Sequence, residues 1–322
     1  MDAERLLSEA RRPLCIGIGG GGDVVGALAT GEACRLYAGA HPVLGGVTWE
    51  RRPIDPLPGP RGAAEIAEAE ELGPGVLSAG AATRVRSSGV RFAEARMAEF
   101  LGEPTVLVDV NRGAPTLARG LARAVARLEC DLIVLVDVGG DALAHGDEPG
   151  LASPLCDAVM LAAGALLAEE GSVPVLAGVF GVGCDGELTP TEVLARLAEV
   201  AVAGGLAGVR GLTGAVVERL DAAVAAVPTE ASAQALRCFR GELGETTIRA
   251  GRRSVQLSPV GAMTVYLDPV IALGSAARLA AAVRECPDLE AANAALNALG
   301  VHTELDLERE VAHTADPVPP PD

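Results

Sequence analysis

The feature that most constrains this chain is a repeated order of three pieces: a short apolar run, a loop of glycine and acid, and a helix-forming stretch. It is clearest in residues 130–157, CDLIVLVDVGGDALAHGDEPGLASPLCD. Leu132–Val138 is short, apolar and β-branched, so it reads as a strand buried on both faces. Gly139, Gly140, Asp141, His145, Gly146, Asp147 and Glu148 then make a polar loop. Ser153 before Pro154 marks a helix start, a cap residue followed by a first-turn proline. A buried strand thus delivers a polar loop to one edge of a sheet, where open α/β sheets bind ligands.

The same order recurs elsewhere. Residues 14–18 form an apolar run that ends in GIGGGGD, residues 17–23, and residues 24–37 are helix-forming. A second strand at 42–49 completes a βαβ unit, expected to cross over right-handed. Residues 105–110 end at Asp109, Asn111 and Arg112, before a helix at 115–128. Residues 173–180 end in GVGCDGELT, with Asp185 and Glu187, before the capping box Thr189-Pro190-Thr191-Glu192. The expected fold is α/β: a Rossmann-like three-layer arrangement with a mainly parallel sheet and a small C-terminal hairpin and helical addition. It is expected as one domain over 1–322, with the core at 13–205, helices and a hairpin at 206–300, and a loose tail at 301–322. Residues 63–72 are expected as an acidic surface helix and 75–92 as short paired strands.

Composition narrows the function classes. The net charge of −17 argues against nucleic-acid and anionic-membrane partners, which need a basic surface. Aromatic residues are only 2%, which argues against base-stacking platforms. The chain has no lysine, so a phosphate-loop lysine and Schiff-base chemistry are excluded. Its seven cysteines are scattered without a C-x-x-C pair, which predicts reduced, buried thiols in a cytoplasmic protein rather than a zinc site. No run is long and apolar enough to span a membrane. The expected partner is a small-molecule ligand, and a homo-oligomer is compatible with the sequence.

In a parallel sheet the four loops 17–23, 109–112, 139–148 and 181–187 fall on one edge. Gly17, Gly19 and Gly22 match G-x-G-x-x-G, and the amides of Gly19, Gly20, Gly21 and Gly22 are candidates to cradle an anion. Glu50 is the candidate acid closing the second strand, though it sits later than a dinucleotide site expects. Asp23 beside such a loop repels an anion, so it caps the helix, meets a cation, or meets a hydroxyl or amine. The nearby acids favour Mg²⁺: Asp141, Asp147 and Glu148, with Asp137 beside them, offer the oxygen ligands this ion takes. His145 and Asp141, with Asp137, are the candidate acid–base groups. Asp109, Asn111, Gly139, Gly140 and Asp185 complete the expected ligand site. Asp157, in a first helical turn, is expected to serve the helix dipole. Cys156, Cys184 and Trp49 are expected to pack, and Arg252 and Arg253 to lie on the surface.

The motifs GIGGGGDVVGA, GGVTWERRPIDP, RFAEAR and DVGGDALAHGDEPGLASPLCDA resemble the bacterial and archaeal family catalogued as domain of unknown function 1152. The resemblance runs across most of the chain and implies an α/β fold whose site lies where these motifs meet. It implies no reaction. The residues are compatible with an enzyme acting on a small polar metabolite, phosphorylated or nucleotide-like, by Mg²⁺-assisted hydrolysis, group transfer or cyclisation. A non-catalytic ligand sensor and an NAD(P)-dependent oxidoreductase are the alternatives.

Overall fold

The computed structural model describes residues 1–314. Its strands are β1 (Pro13–Gly17), β2 (Val43–Val47), β3 (Ile66–Gly73), β4 (Val76–Val85), β5 (Thr105–Val108), β6 (Leu132–Val138), β7 (Val175–Phe180), β8 (Leu206–Gly211), β9 (Gly244–Ile248), β10 (Arg253–Leu257) and β11 (Met263–Leu267). Nine of them form one sheet in the order β3-β4-β5-β2-β1-β6-β7-β11-β8, and β9 pairs with β10 in a separate hairpin. The five strands β5-β2-β1-β6-β7 run parallel. Antiparallel strands extend both ends. Among the described residues, no helix is long and apolar enough to cross a membrane.

The residue pattern of β6 explains its central place. All seven of its residues are buried. Successive side chains point to opposite faces, so Ile133 and Leu135 enter one core while Leu132, Val134, Val136 and Val138 enter the other. Burying each such side chain is worth roughly 1.5–3 kcal/mol. Helices Gly113–Leu128 and Pro154–Glu170 cover the first face; Val24–Ala38, Gly214–Ala226 and Ala231–Phe239 cover the second. The helix Pro154–Glu170 is buried without a break from Pro154 to Ala165. Over that stretch it has no solvent face because the later helices Arg278–Val283 and Leu289–Ala298 pack over it through Leu279, Val283, Leu289 and Leu296.

Three sequence expectations need correction. Residues 63–72 are not a helix: Ala63–Glu65 is a single 3-10 turn and the rest is β3, an outermost strand. Its glutamates suit an exposed sheet edge, where charge discourages pairing with another chain, and Glu68, with φ 57°, breaks the register there. The boundary at 205 also disappears, because β8 and β11 join the main sheet, with β11 antiparallel to β7. The tail expected as loose from 301 contains the helix Glu304–Thr314; residues 315–322 lie outside the described residues.

Topology fixes where a ligand can bind. From β1 the chain moves to β2 and β5 on one side, then returns to place β6 and β7 on the other. The loops after β1 and β6 therefore diverge from adjacent strands and open a crevice at the carboxyl edge.

Candidate functional site

The glycine loop forms the first wall of this crevice. Gly20, Gly21 and Gly22 have φ of 83°, 56° and 116°, a left-handed path that side chains disfavour. Asp23 stands at the start of the helix Val24–Ala38 without capping it. Instead its Oδ2 accepts the Gly19 amide at 3.0 Å. A Cβ on Gly19 would lie 2.7 Å from that oxygen and 3.0 Å from Asp157 Oδ2, so two carboxylates close over this Cα. The Gly21 amide donates to Trp49 O at 3.1 Å. Two of the amides expected to cradle an anion are thus already used within the protein.

The second wall is acidic. Asp137, at the end of β6, accepts the amides of Gly140 at 3.2 Å and Ala142 at 3.1 Å, which fixes its carboxylate against the following turn. Asp141 lies in that turn and is 5% exposed. Asp157 turns into the crevice rather than along its helix: oxygens of Asp137, Asp141 and Asp157 lie within 4.8 Å of one another. Asp141 belongs equally to a second such group, with Asp185 and Glu187 from the loop after β7. Gly139, with φ 129°, lets the Asp185 carboxyl rest against its Cα. Asp157 Oδ1 and Asp185 Oδ1 are buried without a hydrogen-bond partner among the described residues.

Burial opposes the charge of each acid, and the neighbouring acids add to the effect. Asp23 is pushed up to about 8 by burial and by Asp137. Asp137 rises less, to about 6, because the Gly140 and Ala142 amides ease the cost of its burial. Burial first, and then adjacent carboxylates, drive Asp141, Asp157 and Asp185 well above the usual range. Glu187 goes the other way. Burial works against its charge, but Arg253 and several donors outweigh that and hold it below the usual range. Arg253 Nη1 meets it at 2.7 Å, the amides of Ala152 and Ser153 each donate at 2.8 Å, and the Ser153 hydroxyl donates as well.

The structure does not bring His145, Asp147 and Glu148 into this group. They form a separate cluster in the loop 145–148. Glu148 accepts the amides of His145 at 2.9 Å and Gly146 at 2.8 Å and faces Arg196 at 3.3 Å. His145 Nε2 lies 3.0 Å from Glu199 and 2.9 Å from Arg196, so its ring ties the loop to the helix Pro190–Val202. Asp147 is exposed. Glu50 is buried and accepts the Ala93 amide at the start of the helix Ala93–Leu101. Asp109 accepts from Asn111 Nδ2 at 2.8 Å and from the Ala63 amide at 2.9 Å, which holds two loops together. The Cys156 thiol donates to Ile18 O at 3.1 Å, and burial pushes it up, so it is not an activated thiolate. A bond to Cys238, and then burial, do the same to Cys184.

Several site neighbours come from distant sequence. Glu304, on the helix Glu304–Thr314, accepts the amides of Leu155 at 3.0 Å and Cys156 at 2.9 Å. It therefore occupies the anion-binding end of the helix Pro154–Glu170. Arg51 lies 3.3 Å from Glu304 and donates to Gly19 O at 2.8 Å. Its guanidinium covers the Trp49 ring at 4.2 Å, while Trp49 Nε1 donates to Glu308 at 3.1 Å. Trp49 is fully buried, so this face does not stack on a ligand. Arg253 arrives on β10, whose hairpin folds back over the loop 181–187. Arg253, expected on the surface with Arg252, is instead turned inward onto Glu187, and no local signal marks Glu304, because both contacts are set only by the tertiary fold.

These features sit within a stretch with a match: residues 14–312 fit the family described as "Protein of unknown function (DUF1152)". The chain belongs to this family. The DUF1152 match spans both the glycine loop and the acidic wall, together with Arg253 and Glu304. No curated protein and no solved structure matches this DUF1152 chain. What the site does therefore rests on its own geometry: oxygen donors from β6, the turn after it and the next helix, gathered in a buried crevice and short of positive charge.

Proposed function

We propose that this protein is a divalent-cation-dependent enzyme acting on a small polar metabolite that carries an oxyanion, by hydrolysis or group transfer. The observation that carries the reading is the convergence of Asp137, Asp141 and Asp157 within 4.8 Å at the crevice. Three buried carboxylates with one orphaned oxygen, Asp157 Oδ1, match the oxygen-only, anionic donor set that Mg²⁺ or Mn²⁺ takes. A cation held there would supply Lewis acidity and draw an anionic ligand to a wall that otherwise repels it.

The protein's own groups have definable parts. The Gly140 and Ala142 amides hold Asp137 in one orientation, so the donor set is pre-organised. Asp23 is the acid of this wall with part of its surface open, which suits it to exchange a proton with solvent or substrate. His145 is engaged with Glu199 and Arg196, so the proton-moving role passes to Asp23. The inward-turned amides of Gly19 and Gly21 and the capped position of Glu50 weigh against a dinucleotide in this crevice.

A thermal-shift panel tests the reading: nucleotides, sugar phosphates and carboxylic acids, each with and without Mg²⁺ or Mn²⁺. A ligand at ~100 times its Kd adds about 2.7 kcal/mol of stability. The expected result is a shift by the cation alone and a larger one by an oxyanionic ligand only with the cation, both lost in Asp141→Asn. Melting unchanged by either cation would refute it. Cation-dependent binding with no turnover would favour a sensor.

A further inference from the structure

The acidic wall contains two overlapping donor groups, and Asp141 belongs to both. We infer that the site binds two divalent cations bridged by the Asp141 carboxylate, one between Asp137 and Asp157 and the other against Asp185 and Glu187. This rests on the cation-dependent reading above and deepens it.

Three observations point to two ions rather than one. First, each group contains an acid with an orphaned oxygen: Asp157, through Oδ1, in one and Asp185, through Oδ1, in the other. Asp157 is 2% exposed and Asp185 6%, so neither oxygen is served by bulk water. A buried acceptor left unpaired is costly, and a missing ion is among its ordinary explanations. The two acids belong to different groups joined by Asp141, and two cations sharing Asp141 serve both.

Second, the charge is unbalanced. Asp23, Asp137, Asp141, Asp157, Asp185 and Glu187 influence one another through their charges, and Arg253 is the guanidinium that bonds into the group. Arg51 is held at Glu304 and Gly19 O instead. Two divalent ions would supply four positive charges to a wall of six acids into which one guanidinium bonds, with Arg51 and Arg249 acting on it only through space.

Third, the donors are all hard. No imidazole or thiolate belongs to either group, and the Cys156 thiol is turned to Ile18 O. This selects Mg²⁺ or Mn²⁺ over zinc or copper. Glu187, already holding Arg253 and Ser153, contributes least to the second position; Asp185 and Asp141 carry it.

A carboxylate-bridged pair holds its ions ~3.5–4 Å apart, the spacing that grips attacking and leaving oxygens in an in-line displacement. The substrate class this implies is a phosphate ester or anhydride. The lysine-free chain would then meet its phosphoryl group with metal ions rather than side-chain cations.

The test is Mn²⁺ titration of the intact, chelator-treated protein, followed by electron paramagnetic resonance. The expected result is two Mn²⁺ per chain with an exchange-coupled spectrum. Asp185→Asn and Asp157→Asn should each leave one Mn²⁺ per chain and abolish the coupling. Inorganic phosphate should perturb the coupled spectrum of the native protein. One Mn²⁺ per chain, or two without coupling, would overturn the bridged pair while leaving the single-cation reading intact. No bound Mn²⁺ would overturn both. Should either variant fail to fold, stoichiometry and coupling in the native protein still decide.

Discussion

Arg253→Ala tests whether the acidic wall depends on the hairpin for its balance. The side chain of Glu187 is 1% exposed and that of Arg253 12%, and they meet at 2.7 Å. Removing the guanidinium leaves Glu187 with the Ala152 and Ser153 donors but beside Asp185 and Asp141, without a compensating charge. Breaking one partner out of a buried pair costs ~3–5 kcal/mol, because the other charge stays buried. Arg253 keeps some solvent contact, so the lower end, about 3 kcal/mol, is expected. The assay is urea unfolding of the metal-free protein, run as a cycle with Glu187→Gln and the double variant. Neutral glutamine keeps the shape and removes the charge, so Arg253→Ala in that background should cost about 1 kcal/mol, the worth of its remaining hydrogen bond to Asp185 O. An equal loss in both backgrounds would show that Arg253 acts by packing, and the electrostatic argument would fail.

Two further predictions follow from the same wall. The metal-free protein should lose stability as pH rises: Asp137 goes from 3.8 to about 6 and Asp23 to about 8 on folding. The folded state therefore holds protons that the unfolded state has released, so this stability is full below pH ~4 and is lost as pH climbs through those values. At ~1.4 kcal/mol per pH unit, Asp137 alone accounts for about 3 kcal/mol; a flat urea midpoint between pH 4 and 8 would contradict this. Glu304→Ala should strip the Leu155 and Cys156 amides of their acceptor and cost ~1–3 kcal/mol. Hydrogen exchange should quicken at those two amides first, and unchanged protection there would remove Glu304 from its capping role.

Much of the fold was legible because buried parallel strands write themselves as unbroken apolar runs. β6 and β7 and the loops after them are of this kind, and they yielded Asp137, Asp141 and Asp185. β3 misled because its alanines and glutamates suit a helix as well as an exposed edge strand. β8, rich in glycine and half-exposed, carried no apolar signature. Asp157 was ambiguous, since an acid in a first helical turn usually serves the dipole; its approach to Gly19 and to the other two acids shows that it turns into the crevice. His145, Asp147 and Glu148 shared a loop with Asp141 in sequence but not a cluster in space, because the turn at Asp141–Leu143 separates them.

The parts of the acidic wall are made at different times during synthesis. Its carboxylates lie between Asp23 and Glu187, so all six have left the ribosome before the hairpin bearing Arg253 and the helix bearing Glu304 exist. Until then the nascent chain carries these acids without the one guanidinium that later bonds among them. The wall is therefore closed last, when the hairpin carrying Arg253 docks against the loop after β7.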